Sequence, residues 1–131
     1  MTTGPSLYLL TEYLDALGNA GAFSVTTAYL QLHTGDPGAN GTANVAGNAT
    51  RKAVSFGAAA SGVIASDADI VWSTSEVDTS EDYTHWSLFD ASSVGNFLGS
   101  GEITANPVTS GDTFTLPSGS VEIDWSAGAA A

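Results

Sequence analysis

His33 and His85 are the two imidazoles of the chain and its candidates for a base at neutral pH. There is no cysteine, which excludes a thiolate nucleophile, a thiolate metal site and a disulfide framework. Serine and aspartate are abundant, so a Ser-His-Asp site is compositionally open, but no Gly-x-Ser-x-Gly elbow occurs. Each histidine falls inside a strand pattern. His85, beside Trp86, reads as a packed or surface histidine that donates one ring nitrogen to a backbone carbonyl. The carboxylates cluster as Asp67 with Asp69, and as Glu76, Asp78, Glu81 and Asp82 between Ser73 and Asp82. Carboxylates two apart, near backbone carbonyls, are how loops hold calcium, yet no EF-hand pattern is present and a solvated acidic loop is the simpler reading. Carboxylate pairs for glycoside hydrolysis need a sugar platform. Trp72, Trp86 and Trp125 could supply one, but alternation places all three in the core. The expectation is therefore no enzyme, no metal and no cofactor.

Charge narrows the partners. Fourteen Asp and Glu stand against Arg51 and Lys52, a formal net of -12. Binding nucleic acid requires a basic patch that displaces counterions, and two adjacent cations do not make one. An anionic membrane surface is disfavoured for the same reason. The N-terminus lacks a basic stretch, and the apolar run from Leu7 is broken by Glu12 and Asp15, so neither a signal peptide nor a membrane span is expected. Charged residues are only 12 % of the chain, about half the usual share, and the surface is correspondingly rich in Gly, Ala, Ser and Thr.

The elements that must position these groups follow from periodicity. Residues 1–131 read as a single domain, large enough to fold without staples. A helix is expected over about 6–17: Ser6 as N-cap, Leu7, Leu10, Leu14 and Leu17 at helical spacing, and Gly18 closing the end. Tyr8 and Tyr13 widen that apolar face, which should lie on a sheet or against a neighbouring subunit. Beyond it the period changes to two. Ala28, Leu30 and Leu32 alternate with Tyr29, Gln31 and His33 as a half-buried strand, followed by Asp36-Pro37-Gly38 with the chemistry of a type II turn. Ala39 to Thr50 is a long Gly, Ala, Asn and Thr stretch, expected to be an exposed loop that contacts something. It contains Asn40-Gly41-Thr42, and Asn48-Ala49-Thr50 ends it. Both are formal glycosylation sequons that matter only on secretion.

Further strands are expected at Lys52–Phe56, Asp69–Trp72, Tyr83–Asp90, Asn96–Thr104, Thr113–Leu116 and Ser120–Trp125. Tyr83–Asp90 carries large groups on both faces and reads as a central strand. Gly99 and Gly101, sharing a face with Phe97 and Ile103, leave a slot for a Trp ring. The whole is expected to be mainly β, an antiparallel β-sandwich of about seven to eight short strands with one N-terminal α-helix. No internal repeat, heptad or Gly-X-Y period runs through the chain, so nothing in it builds a fibre shaft. The ends, 1–5 and 126–131, the latter low in complexity, are expected to be flexible or docked on a partner.

Several segments together resemble a family of small tailed-bacteriophage virion proteins, usually described as tail-fibre-like or minor, decoration-type virion proteins. They are the Tyr-Leu-Leu-Thr-Glu-Tyr-Leu-Asp helix from Tyr8, Leu30 to Gly38, Arg51 to Ala59, His85 to Ala91, and Ser110 to Phe114. The resemblance spans about Leu7 to Ile123 and carries turns and strands but no catalytic signature. It implies a place in a virion, assembled in the bacterial host cytoplasm. The first reading is a non-enzymatic structural protein on the exterior of a tailed phage, a capsid decoration or cement protein stabilising the head. It would be oligomeric, a trimer by analogy, with itself and the major capsid protein as partners. The alternative is a tail-fibre or tail-tip module contacting the host surface through Ala39–Thr50 and Glu76–Asp82. A third class is a hydrolase or calcium-dependent sugar binder. Residues expected at partner contacts are Leu7, Tyr8, Asp36, Pro37, Asn40, Asn44, Glu76, Asp78, Glu81, Asp82, Ala129 and Ala131.

Overall fold

The computed structural model describes residues 3–19 and 22–128. Its strands are β1 (Gly4–Pro5), β2 (Ala28–His33), β3 (Lys52–Val54), β4 (Val63–Ala65), β5 (Ile70–Trp72), β6 (Glu81–Phe89), β7 (Phe97–Val108), β8 (Phe114–Leu116) and β9 (Glu122–Asp124), with helix α1 at Leu7–Gly18 and a 3-10 turn at Ser126–Gly128. Five strands form one antiparallel sheet in the order β1-β7-β6-β2-β3, while β4 with β9 and β5 with β8 form two-stranded ribbons. The fold is thus mainly β with one helix. The layer facing the large sheet is divided among the ribbons and α1.

β6 is the middle strand, as its two-sided apolar character predicts, and Trp86, Ser87, Leu88 and Phe89 are all buried. Register sorts the faces: Leu30 opposes Leu88 and Leu32 opposes Trp86, whereas Gln31 opposes Ser87 and His33 opposes His85. Trp86 also opposes Gly101, and a Cβ at Gly101 would run into the indole ring. Gly99, opposite Leu88, is instead backed by the Gly4 carbonyl and the Ile123 side chain. Phe97 does not share the glycine face. Leu98 is an extra residue between the pairs Leu88–Gly99 and Phe89–Phe97, and this bulge sets Phe97 beside Phe89 on the opposite face.

Ser6 caps α1 by accepting from the Leu9 amide at 3.1 Å, but the helix runs through Gly18 and closes with Asn19 donating to the Asp15 carbonyl at 2.8 Å. The Ser6 hydroxyl also donates to the Phe97 carbonyl, and its amide to that of Leu98 at 2.9 Å. These long-range bonds fix the rotation of the helix. They turn Leu9 inward, where it is buried, with Tyr8 and Tyr13 edge-on to Phe23 and Tyr13 edge-on to Trp125 at 4.7 Å between ring centres. Leu7, Leu10, Leu14 and Leu17, the stripe one would place on a sheet, are 79 %, 38 %, 68 % and 84 % exposed instead.

Two strands have no counterpart in the expected set. β4 completes a hairpin through Ser61 and Gly62, both at positive φ (53° and 82°), with reciprocal Ala60–Val63 backbone bonds of 2.9 and 3.0 Å. β1 pairs with Ser100 and Gly99 of β7, so residues 4–5 form part of the sheet and are not a flexible end. Among the described residues no helix is long and apolar enough to cross a membrane.

Candidate functional site: two interaction surfaces

The arrangement nearest to catalytic geometry is His33 with Ser87. The imidazole Nδ1 lies 2.7 Å from the Ala43 carbonyl and Nε2 lies 2.7 Å from the Ser87 hydroxyl. A carbonyl can only accept, so Nδ1 carries the proton and Nε2 accepts from Ser87. Burial, the largest effect, pushes the His33 pKa below the ordinary imidazole value and keeps the ring neutral. Both side chains have zero exposure, so no substrate reaches the pair. It joins the long loop to the sheet. His85 departs from its expected role: its Nδ1 meets the Thr84 hydroxyl at 2.9 Å and its Nε2 faces Glu102 at 3.9 Å, and it is His33 that donates to a backbone carbonyl.

The loop after β2 crosses the polar face of the sheet. Asp36 stabilises the turn by accepting from the Gly38 amide at 2.7 Å, and Gly38 takes the positive φ of 75° the turn requires. Gly41 sits against the Phe97 ring so closely that a Cβ would collide with it, at φ 72°. Backbone bonds from Thr34 to Asn44 and from Ala46 to Leu32 lace the loop to β2, and Glu81 clamps its far end by accepting from the amides of Gly47 (2.8 Å) and Asn48 (3.0 Å). Ala46 and Asn48 are buried. The stretch is exposed at most of its residues, as expected, while buried Gly41, Ala46 and Asn48 hold it to the sheet, so the sequon residue Asn48 is inaccessible.

Both cations are also committed internally. Arg51 lies 3.8 Å above the Phe89 ring and donates to Gln31 and to the carbonyls of Ala91 (2.9 Å) and Val94 (2.8 Å). Lys52 pairs with Glu76 at 2.6 Å, and this contact, with the Ser73 amide, holds the Glu76 carboxyl below the usual range. Among the described residues the two cations are paired and partly covered, and the fully exposed charges are carboxylates.

These packing constraints leave two surfaces, at opposite ends of β6, roughly 30 Å apart for a nine-residue strand. At one end Leu7, Tyr8 and Asn40 come together with Ala39, Gly95 and Asn96 around an open groove of about 290 Å³. Burial first, and then the charges of Glu12 and Asp90, raise the Tyr8 pKa, so its phenol stays protonated and able to donate. At the other end Asp78, Thr79 and Ser80 lie exposed, with Thr79 against Gly47, Glu81 accepting from the amides of Gly47 and Asn48, and Ser110 donating to Ser80 at 2.9 Å.

Of the expected contact residues, Leu7, Asn40 and Asp78 are exposed and Tyr8 half-buried. Pro37 is fully buried and unavailable to a partner. Asp36 and Asn44 build their own turn, Asn44 at φ 54° donating to the Asp36 carbonyl at 2.9 Å. Glu76 and Glu81 engage their carboxylates with partners in the same chain, and Asp82 accepts from the Asn106 amide at 2.8 Å. Ala129 and Ala131 lie outside the described residues. Asn96 lines the groove and the exposed Val94, at φ 58°, lies next to it in the chain, neither having stood out in the sequence as a contact. Among the described residues no three His, Asp or Glu side chains converge to hold a metal.

A β-rich scaffold with a closed His-Ser pair, fully exposed charges that among the described residues are all carboxylates, and loops pinned at both ends of one strand has the character of a small structural module. The chain belongs to the family of the podophage GP4 fiber I protein gp80, whose model matches residues 4–124. It is thus a fibre-like structural component of a phage virion. Among curated proteins, none matches the chain.

Proposed function

We propose that this chain is a non-enzymatic fibre module on the outside of a tailed-phage particle, contacting the host surface through its loop-built ends. The match to a fibre family over 4–124 carries the reading and favours it over a decoration protein cementing the head. The structure is compatible in a specific way. Glu81 ties the Ala39–Thr50 loop to the acidic segment, so the two stretches present one composite surface held at fixed geometry. Its partners are copies of itself and other virion proteins. The net charge of -12 disfavours nucleic acid and anionic membranes as partners, and the engagement of both cations at Phe89 and Glu76 supports that reading.

Immunogold labelling of intact particles tests the location: label on fibres or tail is expected, and label confined to the capsid shell would restore the decoration reading. Purified protein added with phage should compete for adsorption, and exchanging residues 39–50 together with 76–82 for those of a relative should shift host range. Unaltered adsorption and host range in both assays would remove the host-contact role.

A further inference from the structure

The leucines that α1 turns away from the sheet are spaced three, four and three residues apart: Leu7, Leu10, Leu14 and Leu17. That is the a-d-a-d order of two heptads, the spacing at which knobs of one helix enter holes of another. We propose that this stripe is the seam by which copies of this chain associate, α1 against α1. The inference deepens the fibre reading by supplying the contact between copies, and rests on it only for its setting in the virion.

Three observations select a second copy as the occupant. First, the stripe is apolar throughout and substantially exposed, while the same helix packs on the rest of the fold through buried Leu9 and half-buried Tyr8, so the stripe is left over from packing the monomer. Second, the positions flanking it, Thr11, Tyr13 and Gly18, carry no charge, and the two carboxylates of the helix, Glu12 and Asp15, fall outside both the seam and its flanks. A basic partner recognised by this acidic chain would be met by acidic flanks. A chain of formal net charge -12 that must meet its own copy needs the reverse, a contact where no like charges oppose. Third, the helix is anchored on the sheet at Ser6, so the seam is held outward in one orientation before any partner arrives.

The seam is short. Twelve residues span about 18 Å, and the area they offer falls below a standard interface, so free protein should associate with a Kd on the order of 100 µM and more firmly where the particle holds copies side by side. Repulsion between copies gives a further signature: association should strengthen as salt rises, opposite to a charge-steered complex.

Sedimentation equilibrium of the full chain is the test. The weight-average mass should climb above the monomer's 13.2 kDa with concentration, more so at high salt, while Leu14→Gln/Leu17→Gln stays monomeric with an unchanged circular dichroism spectrum and melting temperature. Because the chain has no cysteine, Leu14→Cys should oxidise to a covalent dimer far faster than a control cysteine at exposed Thr74. A wild type that stays monomeric to about 300 µM at all salt concentrations, a double glutamine variant that associates as the wild type does, or equal oxidation of the two cysteine variants would overturn the proposal. None of these readouts depends on adsorption or host range, so failure of the seam and failure of the fibre reading are separately visible.

Discussion

The two faces of the large sheet are both buried, but by opposite chemistry. On one, Leu30, Leu32, Trp86 and Leu88 pack as an apolar core, with Gly101 making room for the indole. On the other, Gln31, His33, Ser87 and Ser100 are also buried, and their partners are polar: His33 joins the Ala43 carbonyl of the loop to the Ser87 hydroxyl, and Gln31 accepts from Arg51. The apolar face is held by shape and area, which tolerate exchange among hydrophobic residues of similar volume. The polar face is held by partners counted one at a time, where each loss leaves a buried group unpaired. A loop that must present a surface gains from the second arrangement, because hydrogen bonds fix its path residue by residue.

Mutations on the two faces should therefore fail differently. The largest loss is expected from Trp86→Ala on the apolar face, about 3–5 kcal/mol from the emptied volume, read as a lower urea midpoint. On the polar face His33→Ala should cost about 2–4 kcal/mol by orphaning the Ala43 carbonyl and the Ser87 hydroxyl, and His33→Ala with Ser87→Ala should cost less than the two single changes added. Additivity in that cycle would mean the pair is not coupled. Glu81→Ala should cost about 1–2 kcal/mol and, more tellingly, speed amide exchange at Gly47 and Asn48 while leaving that of β6 unchanged.

The smallest effect is one of pH. His33 is neutral when folded and has its pKa lowered from 6.5. Above that value neither state binds the proton; below it the unfolded chain takes one up while the native chain does not. Stability is thus full above the unfolded pKa and declines as pH falls from there toward the native value. Thermal melts across that interval should show a downward slope for the wild type and a flatter one for His33→Gln. Equal slopes would assign the acid sensitivity elsewhere.

What was legible in the sequence was local. Ser6 as a cap, the Asp36-Pro37-Gly38 turn, the alternation of β2 and β6, and the match of a Trp ring to Gly101, though not to Gly99, all depend on residues near one another in the chain or on strict period two. The helix face was not legible, because α1 carries two apolar stripes and the choice between them is made by bonds from Ser6 to carbonyls 91 and 92 residues away. Nor was the side of Phe97, which depends on one bulged residue, Leu98. The role of the Ala39–Thr50 loop stayed hidden because its hold on the sheet uses backbone groups that hydropathy does not register. One missed element did leave a mark: the Ser61-Gly62 dipeptide is a turn signal, and it announces the β4 hairpin. Of the interaction surfaces, individual residues such as Leu7, Tyr8 and Asn40 could be named, but their meeting around one groove could not.

Trp125 gives the molecule a built-in optical probe. Of the three tryptophans, Trp72 and Trp86 are shut inside and should emit at short wavelength regardless of what happens at the surface, while Trp125 is only partly covered and rests edge-on against Tyr13. Tyr13 flanks the leucine stripe on the same helix. Any body that settles on α1 must alter the water around that ring pair, so the red edge of the intrinsic fluorescence should report occupancy of the helix without a label, and Trp125→Phe should silence it.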